Sequence, residues 1–145
     1  MAYGIDGNTQ VGVATVVDEI HACLWHGTPA SWIDLHPTGA VSSFALCVHA
    51  DQQAGFVEWE SGVPHACVWT GAAASFVDLH PAFASDSAVN AIGAQSQGGY
   101  GAVPWQETQV EHAVLWRGSA ESAIDLNPAG AISSQVFGVD GEFQV

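Results

Sequence analysis

The amino-acid sequence predicts an all-β protein made of three four-stranded antiparallel blade-like repeats and an extra C-terminal strand, a β-propeller-like architecture. Three observations lead to this prediction. The 145-residue chain contains three copies of one pattern, the spacing inside each copy is nearly constant, and no window shows a sustained helical period. Four short strands in a repeat of about 45 residues are typical of a propeller blade.

The repeat is easiest to see around three tryptophans. Residues 21–25 have the sequence HACLW, residues 65–69 have HACVW and residues 112–116 have HAVLW. Each copy continues with a glycine, a serine, an Asp-Leu-His-Pro or Asp-Leu-Asn-Pro corner, a second serine and a glutamine. This many matched positions in three copies establish an internal repeat.

Four short strands are predicted in each copy, and in the first they span residues 2–5, 10–16, 21–25 and 31–35. The first strand has its counterparts at residues 44–48 and 89–92. Asp6-Gly7-Asn8 predicts the turn between the first two strands. Pro37 ends the fourth strand, because proline cannot donate to a strand ladder. The strands carry apolar residues on both alternating faces, which is typical of a sheet that is covered on both sides.

The repeats divide the chain into a single repeat domain over residues 1–145. Repeat 1 covers about 1–43, repeat 2 about 44–87 and repeat 3 about 88–134, and residues 135–145 form a partial fourth copy of the opening segment. A chain that begins and ends inside a periodic array leaves open sheet edges, which pair readily with other strands. The alternative fold is a β-trefoil, which closes with three four-stranded units in a similar length.

All length variation between the copies falls in one segment. From the histidine to the second serine, and from this serine to the glutamine, the three copies have equal lengths. From the glutamine to the next histidine the distance is 11, 12 and 15 positions, between Gln10 and His21, Gln53 and His65, and Gln97 and His112. A connection that absorbs insertions while the remainder keeps its register is expected to be a surface loop on one face of the repeat protein.

The repeat resembles the HAF-type tandem repeats of bacterial, often extracellular, proteins. The resemblance rests on His-Ala-x-Leu-Trp, the glycine turn, Asp-Leu and the segment Gly4–Gly12, GIDGNTQVG, and it covers nearly the whole chain. It departs at the third motif position, which is Cys23, Cys67 and Val114 here, and no glycine follows Asp-Leu. The resemblance implies propeller-like blades, no defined reaction and an extracellular or cell-surface location, although the start at Met1 lacks the basic and apolar regions of a signal peptide.

The charge balance limits the partners. The chain has 15 acidic residues against one basic residue and a formal net charge of −14. Nucleic acids and anionic membranes are bound mainly through lysine and arginine, so neither is expected as a partner. No apolar stretch is long enough for membrane insertion.

A set of polar residues occurs in all three repeats, and we expect it to form a structural hydrogen-bond network between packed sheets. A catalytic triad would contain the same residue types, but a catalytic site is usually single. His36 and His80 are expected to be solvated turn residues, and neither a metal site nor a cofactor is expected. The network comprises His21, Asp34 and Ser43, then His65, Asp78 and Ser87, then His112, Asp125 and Ser134.

Residues that differ between the copies are the better candidates for function. Two of the variable loops combine a tryptophan with carboxylates and amides, which suits stacking on a sugar ring or a cationic group. The sequence therefore predicts a non-enzymatic module that binds a glycan or a protein through these loops. The alternative is a purely structural segment whose partners are neighbouring blades or further copies of the chain. The candidate binding residues are Glu58, Trp59, Glu60, Trp105, Gln106 and Glu107.

Overall fold

The computed structural model describes residues 1–140 and 143–144 of the chain, and it is all-β with several sheets that do not close into a barrel. Each repeat forms a four-stranded antiparallel meander, and one parallel pairing, between Ile20 and Ser42, joins the meanders of repeats 1 and 2 into an eight-stranded sheet. Repeat 1 contains β1 (Ala2–Asp6), β2 (Thr9–Val16), β3 (Glu19–Trp25) and β4 (Ile33–Asp34). Repeat 2 contains β5 (Ser42–His49), β6 (Gln52–Glu58), β7 (Pro64–Trp69) and β8 (Val77–Asp78). Repeat 3 contains β9 (Ser87–Ile92), β10 (Gln97–Trp105), β11 (Thr108–Trp116) and β12 (Ile124–Asp125).

The C-terminal segment forms two short paired strands, β13 (Val139–Asp140) and β14 (Phe143–Gln144), where the sequence predicted one longer strand over 136–145. Residues 141, 142 and 145 of that prediction lie outside the described residues. In the part of the chain that the structure describes, no helix is long and apolar enough to cross a lipid bilayer.

The fourth strand of each repeat is shorter than predicted, because a serine redirects the chain just before it. In repeat 1 the Ser31 hydroxyl accepts a hydrogen bond from the backbone N–H of His26 at 2.7 Å and donates to the carbonyl of Thr28 at 2.7 Å. These two bonds hold residues Pro29–Ser31 in a single 3₁₀ turn. Ser75 and Ser122 make the same two bonds in their repeats. The strand therefore begins at Ile33 rather than at Ser31.

The repeated glutamine holds the turn that follows the tryptophan. The Gln10 side-chain oxygen accepts the backbone N–H of Gly27 at 2.9 Å, and equivalent bonds join Gln53 to Gly71 and Gln97 to Gly118. Gly27 has a positive φ of 74°, a conformation that glycine adopts without strain. The glutamine and the glycine thus recur together because each turn needs both.

A β-bulge in the first hairpin of each repeat explains the second repeated glycine. The strand register shifts next to Gly12, Gly55 and Gly99, which leaves one residue of the first strand unpaired. The carbonyl of the neighbouring strand consequently lies very close to each glycine. A Cβ at Gly99 would lie 2.0 Å from the carbonyl oxygen of Ala88, and Gly55 has the same distance to Phe44. Any side chain at these positions collides with the backbone.

The repeats stack face to face, and each uses two different faces to do so. We call one the leucine face, formed in repeat 1 by Ala22, Leu24 and Leu35, and the other the tryptophan face, formed in repeat 2 by Cys67 and Trp69. These two faces pack together in one buried cluster with Val11, Ala40, Ala45 and Val57. A second cluster packs the leucine face of repeat 2 on the tryptophan face of repeat 3, through Ala66, Val68 and Leu79 against Val114 and Trp116.

We predict that Gly99→Ala destabilises the fold by about 1–3 kcal/mol, the usual cost of forcing extra volume into a packed site. The new methyl group would meet the Ala88 carbonyl at 2.0 Å. Gly93→Ala is the matched control, since its nearest contact lies 3.5 Å away on Val139. Urea denaturation of both variants measures the difference, and equal midpoints would contradict the bulge geometry.

Candidate functional site

The repeated polar residues form one cluster per repeat, at the boundary with the next repeat. In repeat 1 the His21 Nδ1 atom lies 2.8 Å from the Asp34 Oδ2 atom. The backbone N–H of Ala22 donates to the Ser43 hydroxyl oxygen at 2.8 Å, across the repeat boundary. Repeats 2 and 3 have the same two bonds, with lengths between 2.8 and 3.0 Å. The predicted network residues are therefore brought together in all three repeats.

The residue that links the two halves of the cluster is His36, which the sequence analysis expected to be solvated. Its Nδ1 atom lies 2.8 Å from the Ser43 hydroxyl, its Nε2 atom lies 3.2 Å from the Ala40 carbonyl and its backbone N–H donates to Asp34. The His36 ring also stacks on His21 with a centroid distance of 3.9 Å. His80 makes the same bond to Ser87 and the same stack on His65. The expectation for His36 and His80 was wrong because these rings turn inward to the serine.

Repeat 3 places Asn127 at this position, and the asparagine shows which ring nitrogen carries the proton in the other two repeats. The Ser134 hydroxyl donates to the Asn127 side-chain oxygen at 2.6 Å, and the Asn127 amide donates to the Ala131 carbonyl at 3.0 Å. A neutral histidine with its proton on Nε2 reproduces this pattern, since Nδ1 accepts and Nε2–H donates. In repeat 1, His36 is therefore assigned as neutral: its Nδ1 atom accepts from the Ser43 hydroxyl, and its Nε2–H group donates to the Ala40 carbonyl.

The surroundings of the ring favour the same neutral form. Burial lowers the pKa of His36 below its usual value of 6.5, and the neighbouring His21 ring lowers this pKa further. Burial and the neighbouring His65 lower the pKa of His80 in the same way. Both histidines thus serve as neutral hydrogen-bond partners.

The serines of these clusters are placed unlike catalytic nucleophiles. Ser43 and Ser87 are both 0% exposed. The Ser43 oxygen accepts a backbone N–H and its proton is directed to His36, which leaves neither a free lone pair aimed at a pocket nor an approach for a substrate. The arrangement satisfies a buried backbone donor instead.

Repeat 1 also places Glu19 beside the two histidines, and this trio is the closest approach to a metal-binding group in the described part of the chain. The Glu19 Oε2 atom lies 3.5 Å from the His21 Nε2 atom, which is buried without a hydrogen-bond partner. The rings of His21 and His36 are nearly parallel, at 8°. Imidazole lone pairs lie in the ring plane, so two stacked rings do not direct them at one point, and the trio lacks the convergence of a metal centre.

The two tryptophan-bearing loops differ from each other in burial. Trp59 packs against the buried cluster between repeats 1 and 2 and makes an edge contact with Phe76 at 5.8 Å. Glu58 accepts a hydrogen bond from the Ser42 hydroxyl at 2.5 Å. Both residues therefore support the fold, and Glu60 is the one candidate binding residue of this loop that is exposed.

Trp105 lies at the tip of the β10–β11 hairpin and is 42% exposed. Gln106 and Glu107 form the turn beside it, and both are exposed. Gln106 has a positive φ of 53°, which places it in the tight turn that closes the hairpin. An aromatic, an amide and a carboxylate side chain are thus exposed at consecutive positions of this tip.

We predict that His36→Asn changes the free energy of unfolding by less than about 1 kcal/mol, whereas His36→Leu lowers it by about 1–3 kcal/mol. Asparagine keeps both hydrogen bonds, as Asn127 does, and leucine leaves the buried Ser43 hydroxyl without its acceptor. Urea denaturation at pH 8 provides the comparison. Equal losses for both variants would refute the assigned hydrogen-bond roles.

We predict a pH dependence carried by His36 and His80. An unfolded histidine titrates near 6.5, and the folded pKa of both groups is lower. The unfolded state therefore binds more protons below pH 6.5, so stability is complete above this pH and falls as the pH drops towards the folded pKa values. The double variant His36→Asn with His80→Asn should lose part of this slope between pH 7 and 5 in urea titrations. An unchanged slope in this double variant would contradict the assignment.

The chain was compared with models of protein families, with curated protein sequences and with solved structures, and none of them matches it. Its assignment therefore depends on the geometry of the repeats and of the two sites described above. The clusters at the repeat boundaries are hydrogen-bonded and largely buried, and the tip of the β10–β11 hairpin exposes Trp105, Gln106 and Glu107.

Proposed function

We propose that the chain is a non-enzymatic β-propeller-type repeat module that binds a ligand through the tip of its β10–β11 hairpin. Face-to-face stacking of four-stranded meanders supports the propeller-type architecture. The first strands of successive repeats also contact one another, β1 with β5 and β5 with β9, as inner strands of neighbouring blades do. The alternative β-trefoil fold requires a closed barrel, and the sheets of the described residues do not close into one, which favours the propeller-type proposal.

The exposed Trp105 is the observation that carries the binding proposal. Trp69 and Trp116 are 0% exposed in the interfaces between repeats, whereas Trp105 is 42% exposed at the end of the longest hairpin. The described residues do not cover this ring, which lies beside exposed polar side chains at the tip of the hairpin. A ring in this position is available to stack on a ligand.

A neutral glycan is the ligand class that fits this tip best. The pyranose face of a sugar stacks on an indole ring, and Gln106 and Glu107 supply an amide and a carboxylate for its hydroxyl groups. The net charge of −14 disfavours anionic ligands. The resemblance to HAF-type repeats is consistent with an extracellular role, which forms part of the proposal.

The absence of enzymatic activity is proposed for a physical reason. Of the three cluster serines, Ser43 and Ser87 are fully buried and Ser134 is half-buried, and all three are already hydrogen-bonded. The same cluster occurs in every repeat, as expected of a feature that each repeat needs for folding. Function is therefore expected at positions that differ between the repeats.

We predict that Trp105→Ala weakens glycan binding by about tenfold or more, because stacking and apolar contact with the ring contribute about 1.5 kcal/mol or more. A glycan array followed by isothermal titration calorimetry measures this loss. Phe137→Ala is the control, since Phe137 is 71% exposed on a different segment. The proposal fails if no glycan binds, or if Trp105→Ala binds as tightly as the unmodified chain.

A further inference from the structure

The two described interfaces between repeats always join a leucine face to a tryptophan face. In both of them the tryptophan is completely buried: Trp69 and Trp116 are each 0% exposed. The leucines that close these interfaces, Leu35 and Leu79, are also 0% exposed. Both interfaces have the same composition and the same order of faces. Each repeat therefore needs a tryptophan face against its leucine face, and a leucine face against its tryptophan face.

The tryptophan face of repeat 1 has no such partner in the described structure. Trp25, the counterpart of Trp69, is only half-buried. Trp32 lies on the same face, because its indole N–H donates to the Cys23 sulfur at 2.8 Å, and it is 41% exposed. A shallow apolar depression of about 390 Å³ adjoins Trp25 and Pro29. This face therefore exposes two tryptophans where the equivalent face of repeat 2 is sealed.

The leucine face of repeat 3 is buried at Ala113 and Leu115 and is incompletely covered only at Leu126. Leu126 is half-buried, although its backbone N–H bonds to the Ala113 carbonyl as Leu35 and Leu79 bond to theirs. The chain's own residues 135–140 occupy the inner part of this face. Val136 is 4% exposed, lies against Gly98 and donates its backbone N–H to the Gly99 carbonyl at 3.1 Å. The outer part of the face, around Leu126, is the part left open.

Residues 135–140 occupy the place where a following repeat would begin. Val136 is the sequence counterpart of Ala45 and Val89, which pack at the start of repeats 2 and 3. Ala2 is the counterpart in repeat 1. Residues 135–140 therefore occupy part of the position that the first strand of a complete repeat would fill.

We propose that a second copy of this chain docks there: the tryptophan face of its repeat 1 covers the leucine face of repeat 3 and replaces residues 135–140. This inference rests on the proposed blade-type stacking and is independent of the β10–β11 hairpin. It continues the interface that the chain already forms twice. When the second copy replaces residues 135–140, its Ala2 takes the place of Val136. The replacement also buries Trp25 and Trp32 of the second copy.

The contact is heterologous, because each copy offers a different face to the next. Repetition of such a contact gives a closed ring when the rotation closes and an open filament when it does not. The net charge of −14 on each copy opposes the contact, and salt screens this repulsion. Self-association is therefore expected to strengthen as the salt concentration rises.

Sedimentation velocity on the full chain, over a wide range of protein and salt concentrations, tests the proposal. We expect species heavier than the 15.0 kDa monomer, with a dissociation constant that decreases as salt is added. Trp25→Asp should weaken association by about tenfold or more. Trp105→Asp, which alters an exposed tryptophan outside the two faces, should leave it unchanged. A monomer under all conditions, or equal effects of the two variants, overturns the proposal.

Mixing two variants tests the polarity of the contact. Trp25→Asp retains an intact leucine face and Leu126→Asp retains an intact tryptophan face, so each alone should remain monomeric. An equimolar mixture should form a heterodimer of two 15.0 kDa chains and nothing larger, since only one productive contact remains. Circular dichroism confirms that both variants are folded, and Trp32→Glu replaces Trp25→Asp if the latter unfolds. Two folded variants that do not associate on mixing refute the head-to-tail contact.

Val136→Asp tests the replacement step. The substitution places a charge in the buried position at Gly98 and weakens the hold of residues 135–140 on repeat 3. If the second copy replaces this segment, association becomes stronger in the variant. Weaker association would mean that the segment is part of the docking site, which contradicts the proposal.

Discussion

One hydrogen bond, from a strand amide to a serine of the next repeat, is the constraint on which the boundary between repeats depends. The Ala22 N–H is buried beyond the end of the two-residue strand β4, and the Ser43 hydroxyl accepts it. A buried amide without a partner costs about 1–3 kcal/mol. The buried serine proton needs an acceptor in turn, and His36 supplies one. The His36 ring stacks on His21, and the Asp34 carboxylate accepts the His36 backbone N–H. A single polar requirement thus accounts for three residues that each copy repeats, and for the position that holds histidine in repeats 1 and 2 and asparagine in repeat 3.

The sequence predicted the all-β class of the fold well, because the same strand pattern occurs in three copies and each copy supports the others. The histidine, aspartate and serine of each cluster were also predicted to form a network, and the structure brings them together. The short β4 was not predicted, since strand propensity contains no information on the hydrogen bonds of Ser31. The role of His36 was missed because histidine before proline is typical of a solvated corner. The replacement of this histidine by Asn127 was the available signal, as the two side chains share one donor and one acceptor.

The burial of the two tryptophans in the variable loops could not be predicted from the sequence. Trp59 and Trp105 have similar neighbours in sequence, yet one lies against the core and the other at a hairpin tip. Their difference follows from tertiary packing: Phe76 lies beside Trp59, and the longer β10–β11 hairpin carries Trp105 away from the sheet. Local composition cannot distinguish the two outcomes. The comparison between repeats nevertheless separated the residues that every copy needs from those that a single copy adds.

The exchange of histidine for asparagine at the serine acceptor has a consequence for how tandem arrays of this type adapt. Asn127 performs the structural task of His36 without a titratable group. A single nucleotide change converts a histidine codon into an asparagine codon, so the tolerance of each repeat to acidic surroundings is adjustable one repeat at a time. An array can in this way change the environments in which it persists while its architecture stays the same.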